Sequence, residues 1–252
     1  MELDKDLELE TRRIADIYNT NLNKLTTLPK EVLRSFALSP LLLPEAKSGK
    51  YRIEWMIEPA RKPLTVVSHR NWLMMGYRPQ KLILDVPRLF HQLLKDEQLL
   101  MSDSPQEMFL QYTMLEKAKG RVLTSGLGLG MFATMAAQKP EVTEVVAVEI
   151  SRDVINLCTP KSKKIKIVNA DIWEFLKTTN EKFDYIYIDI HYSTGALEYK
   201  STVAPMRKIL AERFPDTPAD FWGEQEMKSQ YDPDYEAKKK AREARQNAEK
   251  CN

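Results

Sequence analysis

The sequence predicts an α/β protein with a doubly wound parallel sheet, preceded by a small β-containing N-terminal part. Three features between residues 111 and 231 lead to this expectation. Four runs of β-forming residues alternate with helical runs. Two of the predicted strands, 145–148 and 185–188, are apolar throughout, which suits strands that are covered on both faces. A glycine-rich turn at 126–130 joins the first predicted strand, 121–125, to the first predicted helix.

Each predicted strand is followed by its own helix, as crossover connections between parallel strands require. The expected pairs of strand and helix are 121–125 with 131–138, 144–149 with 152–157, 165–169 with 172–177, and 185–189 with 202–213. No clear fifth strand follows Arg213, and 219–222 is a short apolar candidate for an edge. The sequence therefore leaves open whether the last strands of the sheet are present.

Composition and patterning divide the chain into four segments. Residues 1–48 have apolar positions at helical spacing and are expected to form a helical lead-in. Residues 49–110 carry strand-like runs and form the small β-containing part, with a helical turn or two expected over 87–94. Residues 111–231 contain the parallel sheet. Residues 232–252 are charged and have no apolar face, so we expect a solvated helical or disordered tail.

One helix start is marked with particular clarity. Ser104 is expected to cap the helix, Pro105 suits the first helical position, and Glu107 lies three residues after the cap, as a capping box requires.

Charge and cysteine content narrow the class of protein. With 38 basic and 36 acidic residues the net charge is only +2, which gives no strong signal for nucleic-acid binding. Cys158 and Cys251 are far apart, and His69 and His91 are isolated, so no metal site is predicted. The N-terminus is too acidic for a signal peptide, and no segment is suited to a membrane. We therefore expect a cytoplasmic protein.

The glycine-rich turn is the main chemical signal. Only 8 glycines occur in 252 residues, yet Gly126, Gly128 and Gly130 fall within five positions. Glycines at a strand-to-helix turn let the backbone approach a ligand closely, and the helix N-terminus offers unpaired N–H groups. A nucleoside cofactor is the expected ligand. The dinucleotide fingerprint fails because Met131 stands where Gly or Ala is required, so NAD is a third choice.

Three acidic residues end successive predicted strands, where open α/β sheets bind ligands. Glu149 lies 19 residues after Gly130 and can accept hydrogen bonds from both ribose hydroxyls. Asp171 can accept from an adenine amino group, or serve only as the cap of the next helix. Asp189 ends the fourth strand. We predict a cofactor site formed by Gly126, Gly128, Gly130, Glu149, Asp171 and Asp189.

Several motifs in order resemble class I S-adenosylmethionine-dependent methyltransferases, and within them the spermidine synthase branch. The matching segments are VLTSGLGLG at 122–130, VVAVEISRDVI at 145–155, Asn169-Ala170-Asp171 and Tyr187-Ile188-Asp189, with Gln106 and Glu107 before them. The resemblance covers about residues 100–213. It implies a Rossmann-like domain that binds S-adenosylmethionine, and it makes a homo-oligomer formed through the N-terminal part an open alternative.

Two departures from the aminopropyltransferases of that branch disfavour polyamine synthesis. Leu129 and Tyr192 stand where those enzymes carry carboxylates that serve the amines. A cationic polyamine would lose its charge partners without them. Thr124 replaces the acidic residue that many methyltransferases carry two positions before the first loop glycine.

These residues support a methyltransferase-like enzyme of unknown acceptor. Because the sulfonium methyl group is already activated, the enzyme mainly aligns donor and acceptor. Asp189 and His191 are the candidate catalytic residues that take or polarise a proton on the acceptor. The alternative from another class is a catalytically inert relative that serves as a binding or assembly module. A loop blocked by Leu127, Leu129 or Met131 would favour the module, and an open pocket beside the acidic residues would favour the enzyme.

Overall fold

The computed structural model describes residues 41, 43–58, 63–65, 81–83, 88–191 and 194–231. The N-terminal half of this region is antiparallel. Its strands are β1 (Ala46–Ser48), β2 (Tyr51–Glu58), β3 (Pro63–Thr65), β4 (Lys81–Ile83), β5 (Arg88–Lys95) and β6 (Gln98–Ser102). Four of them form one sheet in the order β1-β2-β5-β6, and β3 pairs with β4 separately. Most of the helical lead-in expected over 1–48 lies outside the described residues, as do His69 and the tail over 232–252. The described end of that lead-in contains strand β1 rather than a helix.

Strand β5 corrects the helical turn that was expected over 87–94. It pairs along its whole length with β2 and at its far end with β6, so it is an internal strand of the antiparallel sheet. Phe90, His91, Leu93 and Leu94 are buried. Hydrogen bonds on both sides and burial override the local helical pattern.

The C-terminal half is a parallel sheet, as predicted, and it has five strands. Its strands are β7 (Gly120–Ser125), β8 (Val142–Glu149), β9 (Ile165–Asn169), β10 (Tyr185–Ile188) and β11 (Ala219–Phe221), in the order β11-β10-β7-β8-β9. The helices are α1 (Pro105–Lys117), α2 (Met131–Gln138), α3 (Arg152–Cys158), α4 (Ile172–Thr178), α5 (Ala196–Glu198), α6 (Ala204–Arg213) and α7 (Glu224–Gln230). A π-helical turn, Tyr199–Val203, connects α5 to α6. The segment boundary expected at residue 110 lies inside helix α1. The antiparallel sheet ends earlier, at Ser102.

Strand β11 resolves the question of the missing fifth strand. It is parallel to β10 and pairs with it over three residues. Asp220 lies in its middle and accepts hydrogen bonds from the Tyr185 hydroxyl at 2.7 Å and from Lys117 Nζ at 2.9 Å. A three-residue edge strand with an aspartate has no recognisable hydrophobic pattern, which explains why the sequence left it open.

Alternate residues of the parallel strands point to opposite faces of the sheet and pack in two separate hydrophobic cores. Val122, Val145 and Ala147 face α2 and the antiparallel sheet, whereas Leu123 and Val146 face α4 and α6. Period-two alternation with apolar residues on both faces is the pattern of a sheet covered on both sides. The antiparallel sheet therefore lies on one defined face of the parallel sheet. None of the helices in the described ranges combines the length and hydrophobicity of a membrane-spanning helix.

A buried histidine fixes the start of the antiparallel sheet. The His91 ring is fully buried, with Nδ1 2.9 Å from Asp103 Oδ2 and Nε2 3.0 Å from the carbonyl oxygen of Leu43. This residue therefore has a structural role between β1 and the end of β6.

Ser104 caps α1 as predicted. Its hydroxyl accepts from the Glu107 N–H at 3.4 Å, but Glu107 Oε2 reaches back to the Ser102 N–H at 2.7 Å rather than to the cap residue itself. We expect Ser104→Ala to lower the free energy of unfolding by about 1 kcal/mol, because one N–H of the first turn loses its acceptor. Urea denaturation measures this, with Ser201→Ala as an exposed control expected within about 0.5 kcal/mol of the wild type. Equal losses in both variants would contradict the cap.

Candidate active site

A cavity of about 390 Å³ opens at the carboxyl ends of the parallel strands. Its walls come from the loops after β7, β8, β9 and β10, from α1, and from the antiparallel sheet, which contributes Tyr51, Leu93, Leu100 and Met101. The volume is within the range of small-molecule and cofactor sites. The position is the one where open α/β sheets bind ligands.

The glycine-rich turn forms part of the cavity wall. Gly126 and Gly128 line the cavity, and each has a positive φ. A Cβ on Gly126 would collide with the backbone oxygen of Asp189, and one on Gly128 would collide with Met101 Sδ. Gly130 is not part of the lining and instead precedes α2, with a φ of 76°. Two of the three predicted glycines therefore face the site, and the third has a structural role.

Glu149 is held rigidly at the end of β8. Only 8% of the residue is exposed. Its Oε2 accepts from the Leu127 N–H at 2.9 Å, and its Oε1 accepts from the Ser151 N–H at 2.7 Å. Each carboxylate oxygen keeps a second lone pair for a ligand. The residue lines the cavity, as predicted for a group that binds a ribose.

Asp171 caps helix α4 and also lies in the wall of the cavity. Its Oδ1 accepts from the Trp173 N–H at 2.7 Å and so caps α4, while the residue also lines the cavity. The carboxylate is exposed and can accept a further hydrogen bond through its other oxygen.

Asp189 lies deeper in the cavity, beside α1. Its Oδ2 accepts from Gln111 Nε2 at 3.1 Å and from the Tyr187 hydroxyl at 3.3 Å. Burial raises the pKa of Asp189 to about 7, a value that includes the lowering effect of the Tyr187 hydroxyl and the raising effect of the Glu107 carboxylate. A carboxyl group that titrates near neutrality can both accept and donate a proton at physiological pH.

Glu107 is a second carboxyl group of this kind in the same cavity. Burial raises its pKa to about 7, although the Ser102 N–H and hydroxyl favour the ionised form. The neighbouring charge of Asp103 acts in the same direction as burial. The deep end of the cavity thus holds two acidic groups that burial keeps partly protonated.

His191 follows β10 and lines the same cavity. Its Nδ1 is 3.2 Å from Glu198 Oε1, and its buried Nε2 has no hydrogen-bond partner among the described residues. Burial lowers the pKa of the imidazole and thereby favours its neutral form. Tyr192, which the sequence singled out beside it, lies outside the described residues.

Several side chains in or beside the cavity were not predicted as site residues. Among them are Met101, Glu107, Gln111 and Glu198. Glu107 and Gln111 are four residues apart on α1 and therefore share a helix face, which is a signal that the sequence contains. Met101 and Glu198 come from a strand of the other sheet and from a three-residue helix, and no motif marks either position.

The leucines of the turn do not block the site. Leu129 is 1% exposed and packs in the core between the two sheets, outside the cavity lining. Leu127 and Met131 form part of the wall, and the cavity remains beside Glu149 and Asp189. This is the open arrangement expected for the enzyme and opposes the blocked loop expected for the inert module.

All charged side chains in the described lining of the cavity are acidic. They are Glu107, Glu149, Asp171 and Asp189. Within the described ranges, no group of three or more His, Cys, Asp or Glu side chains is placed to hold a metal ion.

Sequence comparison gives one relevant relative. Polyamine aminopropyltransferase 2 of Caldanaerobacter subterraneus is 29% identical over 110 residues, which cover 40% of this chain and 32% of that protein. The match thus spans less than half the length of that relative. It agrees with the resemblance of the chain to the spermidine synthase branch. No family model matches the sequence.

Three solved structures share 18–19% identity with the chain. A spermidine synthase from Thermotoga maritima has a TM-score of 0.34 and matches 39% of this chain and 38% of its own. A spermidine synthase in complex with the transition state analogue AdoDATO has a TM-score of 0.35, with 44% and 43% covered. A conserved hypothetical protein from Streptococcus pyogenes has a TM-score of 0.34, with 42% and 66% covered.

Proposed function

We propose that this spermidine synthase-like protein binds S-adenosylmethionine and transfers its methyl group to an acceptor. The observation that carries the proposal is the carboxylate of Glu149, which two backbone N–H groups hold at the cavity edge next to Gly126 and Gly128. A carboxylate at the end of the second strand, behind a glycine-rich turn, is suited to the two hydroxyls of a ribose.

The other predicted residues are suited to an adenosine group whose ribose is bound by Glu149. Asp171 is at the end of the next strand, where its free oxygen can accept from an adenine amino group. Gly126 and Gly128 have no side chains between the cavity and the backbone. S-adenosylmethionine would supply an activated methyl group there. The chain itself would supply binding, alignment and the removal of a proton from the acceptor.

Asp189 and His191 are the proposed proton acceptors of this reaction. Both line the cavity, and both are less exposed than Asp171. Asp189 has a pKa of about 7, and the imidazole of His191 is kept neutral by burial, so either group can take a proton at neutral pH.

A second candidate reaction uses the decarboxylated form of the same nucleoside to transfer an aminopropyl group. This reaction is favoured by the cavity lining, whose charged side chains are all acidic. The cationic tail of the decarboxylated donor has no carboxylate for these side chains to repel. The buried leucine at position 129 disfavours it, because that position offers no charge partner to an amine.

Isothermal titration calorimetry distinguishes these proposals. We expect S-adenosylmethionine and S-adenosylhomocysteine to bind with a Kd in the micromolar range, or about −8 kcal/mol, and NADH not to bind. If decarboxylated S-adenosylmethionine binds more tightly than S-adenosylmethionine and S-adenosylhomocysteine do, the result favours the aminopropyl reaction. If none of these nucleosides gives a binding heat, the proposed function is overturned. The catalytically inert binding or assembly module is then the remaining alternative.

A further inference from the structure

Glu198 contacts the candidate catalytic histidine from outside the predicted site. Its Oε1 lies 3.2 Å from His191 Nδ1 and also accepts a hydrogen bond from the Thr202 hydroxyl at 3.1 Å. The side chain of Glu198 is 27% exposed, whereas the side chain of His191 is fully buried. The carboxylate is therefore held in place beside one nitrogen of the ring.

This contact defines which ring nitrogen carries the proton. An ionised carboxylate can only accept a hydrogen bond, so a hydrogen bond to it requires a proton on Nδ1. A neutral imidazole has one N–H, which leaves Nε2 with a free lone pair. Nε2 is buried without a partner among the described residues, in a residue that lines the cavity.

The backbone around Glu198 departs from regular helix geometry. Glu198 ends α5, and the π-helical turn Tyr199–Val203 follows at once and includes Thr202. Single π turns inside helices are rare and occur often at functional sites. Thr202 lies in this turn, four residues after Glu198, and donates its hydrogen bond to the Glu198 carboxylate.

We propose that Glu198 is a positioning residue for His191, which keeps the proton on Nδ1 and makes Nε2 the proton acceptor of the cavity. The inference rests on the proposed methyl transfer. In that reaction the bond between the sulfonium sulfur and the methyl carbon breaks, and a bond forms between that carbon and a nitrogen or oxygen of the acceptor. The sulfur keeps the electron pair and becomes a neutral thioether. The proton of the acceptor moves to His191 Nε2, and the imidazolium is paired with Glu198.

The tautomer of His191 can be measured without knowing the acceptor. The chain has three histidines, so ¹⁵N-histidine labelling of the full-length protein gives three ring systems, and His191→Gln assigns the one of interest. We expect the Nδ1–H tautomer to predominate in the wild-type protein near pH 8. A predominant Nε2–H tautomer there would overturn the inference.

Glu198→Ala tests the cause of this preference. Without the carboxylate, we expect the proton to shift to Nε2 in most molecules, and the midpoint of the His191 titration to fall. The midpoint falls because the carboxylates of Glu198 and Glu224 both raise the pKa of His191 against burial, and only Glu224, paired with Arg207, remains. Glu212→Gln, an exposed substitution on α6, is the matched control and should change neither the tautomer nor the midpoint.

The failure of this inference is distinguishable from failure of the proposed function. Nucleoside binding by calorimetry tests the function and does not depend on the tautomer. An Nδ1–H tautomer that persists in Glu198→Ala would overturn the positioning role even if S-adenosylmethionine binds. Should Glu198→Ala fail to fold, the wild-type spectrum alone supports or overturns the assigned proton.

Discussion

Replacing Glu149 by alanine is expected to weaken binding of S-adenosylmethionine by about 1–3 kcal/mol, or roughly 5- to 150-fold. The variant removes the acceptor for the ribose hydroxyls. It also leaves the N–H groups of Leu127 and Ser151 without their partner, so the glycine-rich turn is less well ordered before the ligand binds. Calorimetric titration of both proteins with the same nucleoside measures the difference.

Two further variants serve as comparisons for Glu149→Ala, one conservative and one a control. Glu149→Gln retains one acceptor oxygen, so it can satisfy only one of the two backbone N–H groups and is expected to lose less affinity than alanine. Glu174→Gln removes an exposed carboxylate on the neighbouring helix α4 and should bind as the wild type does. Wild-type affinity in Glu149→Ala would show that the nucleoside site lies elsewhere.

Asp189→Asn is expected to stabilise the protein without ligand at pH 8 by about 2–4 kcal/mol. Burial raises the pKa of Asp189 from 3.8 to about 7 in the folded protein. A group with a raised folded pKa favours folding while it is protonated, and this contribution is lost as the pH rises through the folded value. Asparagine stays neutral and can still accept from Gln111 and Tyr187, so it avoids the loss.

The pH dependence distinguishes this cause from a general packing effect. Urea denaturation should give a large difference between Asp189→Asn and the wild type at pH 8. At pH 4 the difference should fall below about 1 kcal/mol, because the folded aspartate is then protonated and the unfolded one, whose pKa is 3.8, is only partly ionised. An equal difference at both pH values would contradict the buried charge as its cause. The same variant is expected to impair turnover, so stability and function would change in opposite directions.

The sequence was sufficient for four strands of the parallel sheet, β7 to β10, because each of them has a local pattern. The apolar runs at 145–148 and 185–188 form β8 and β10, and the cap at Ser104 forms as predicted. Local propensity failed at β5, where it indicated a helical turn, and it left β11 as no more than a short candidate edge. In both segments hydrogen bonds to distant strands decide the conformation, and a window of neighbouring residues carries no trace of them.

For the candidate site, the sequence by itself determined the residues at the strand ends. Gly126, Gly128, Glu149, Asp171 and Asp189 line one cavity because the carboxyl ends of parallel strands meet at one edge of the sheet. Only the tertiary structure decided their chemistry. Burial beside α1 raises the pKa of Asp189, and Glu198 contacts His191 from a short helix that no sequence motif marks. These effects depend on distances between segments that are remote in the chain, and a linear sequence does not contain them.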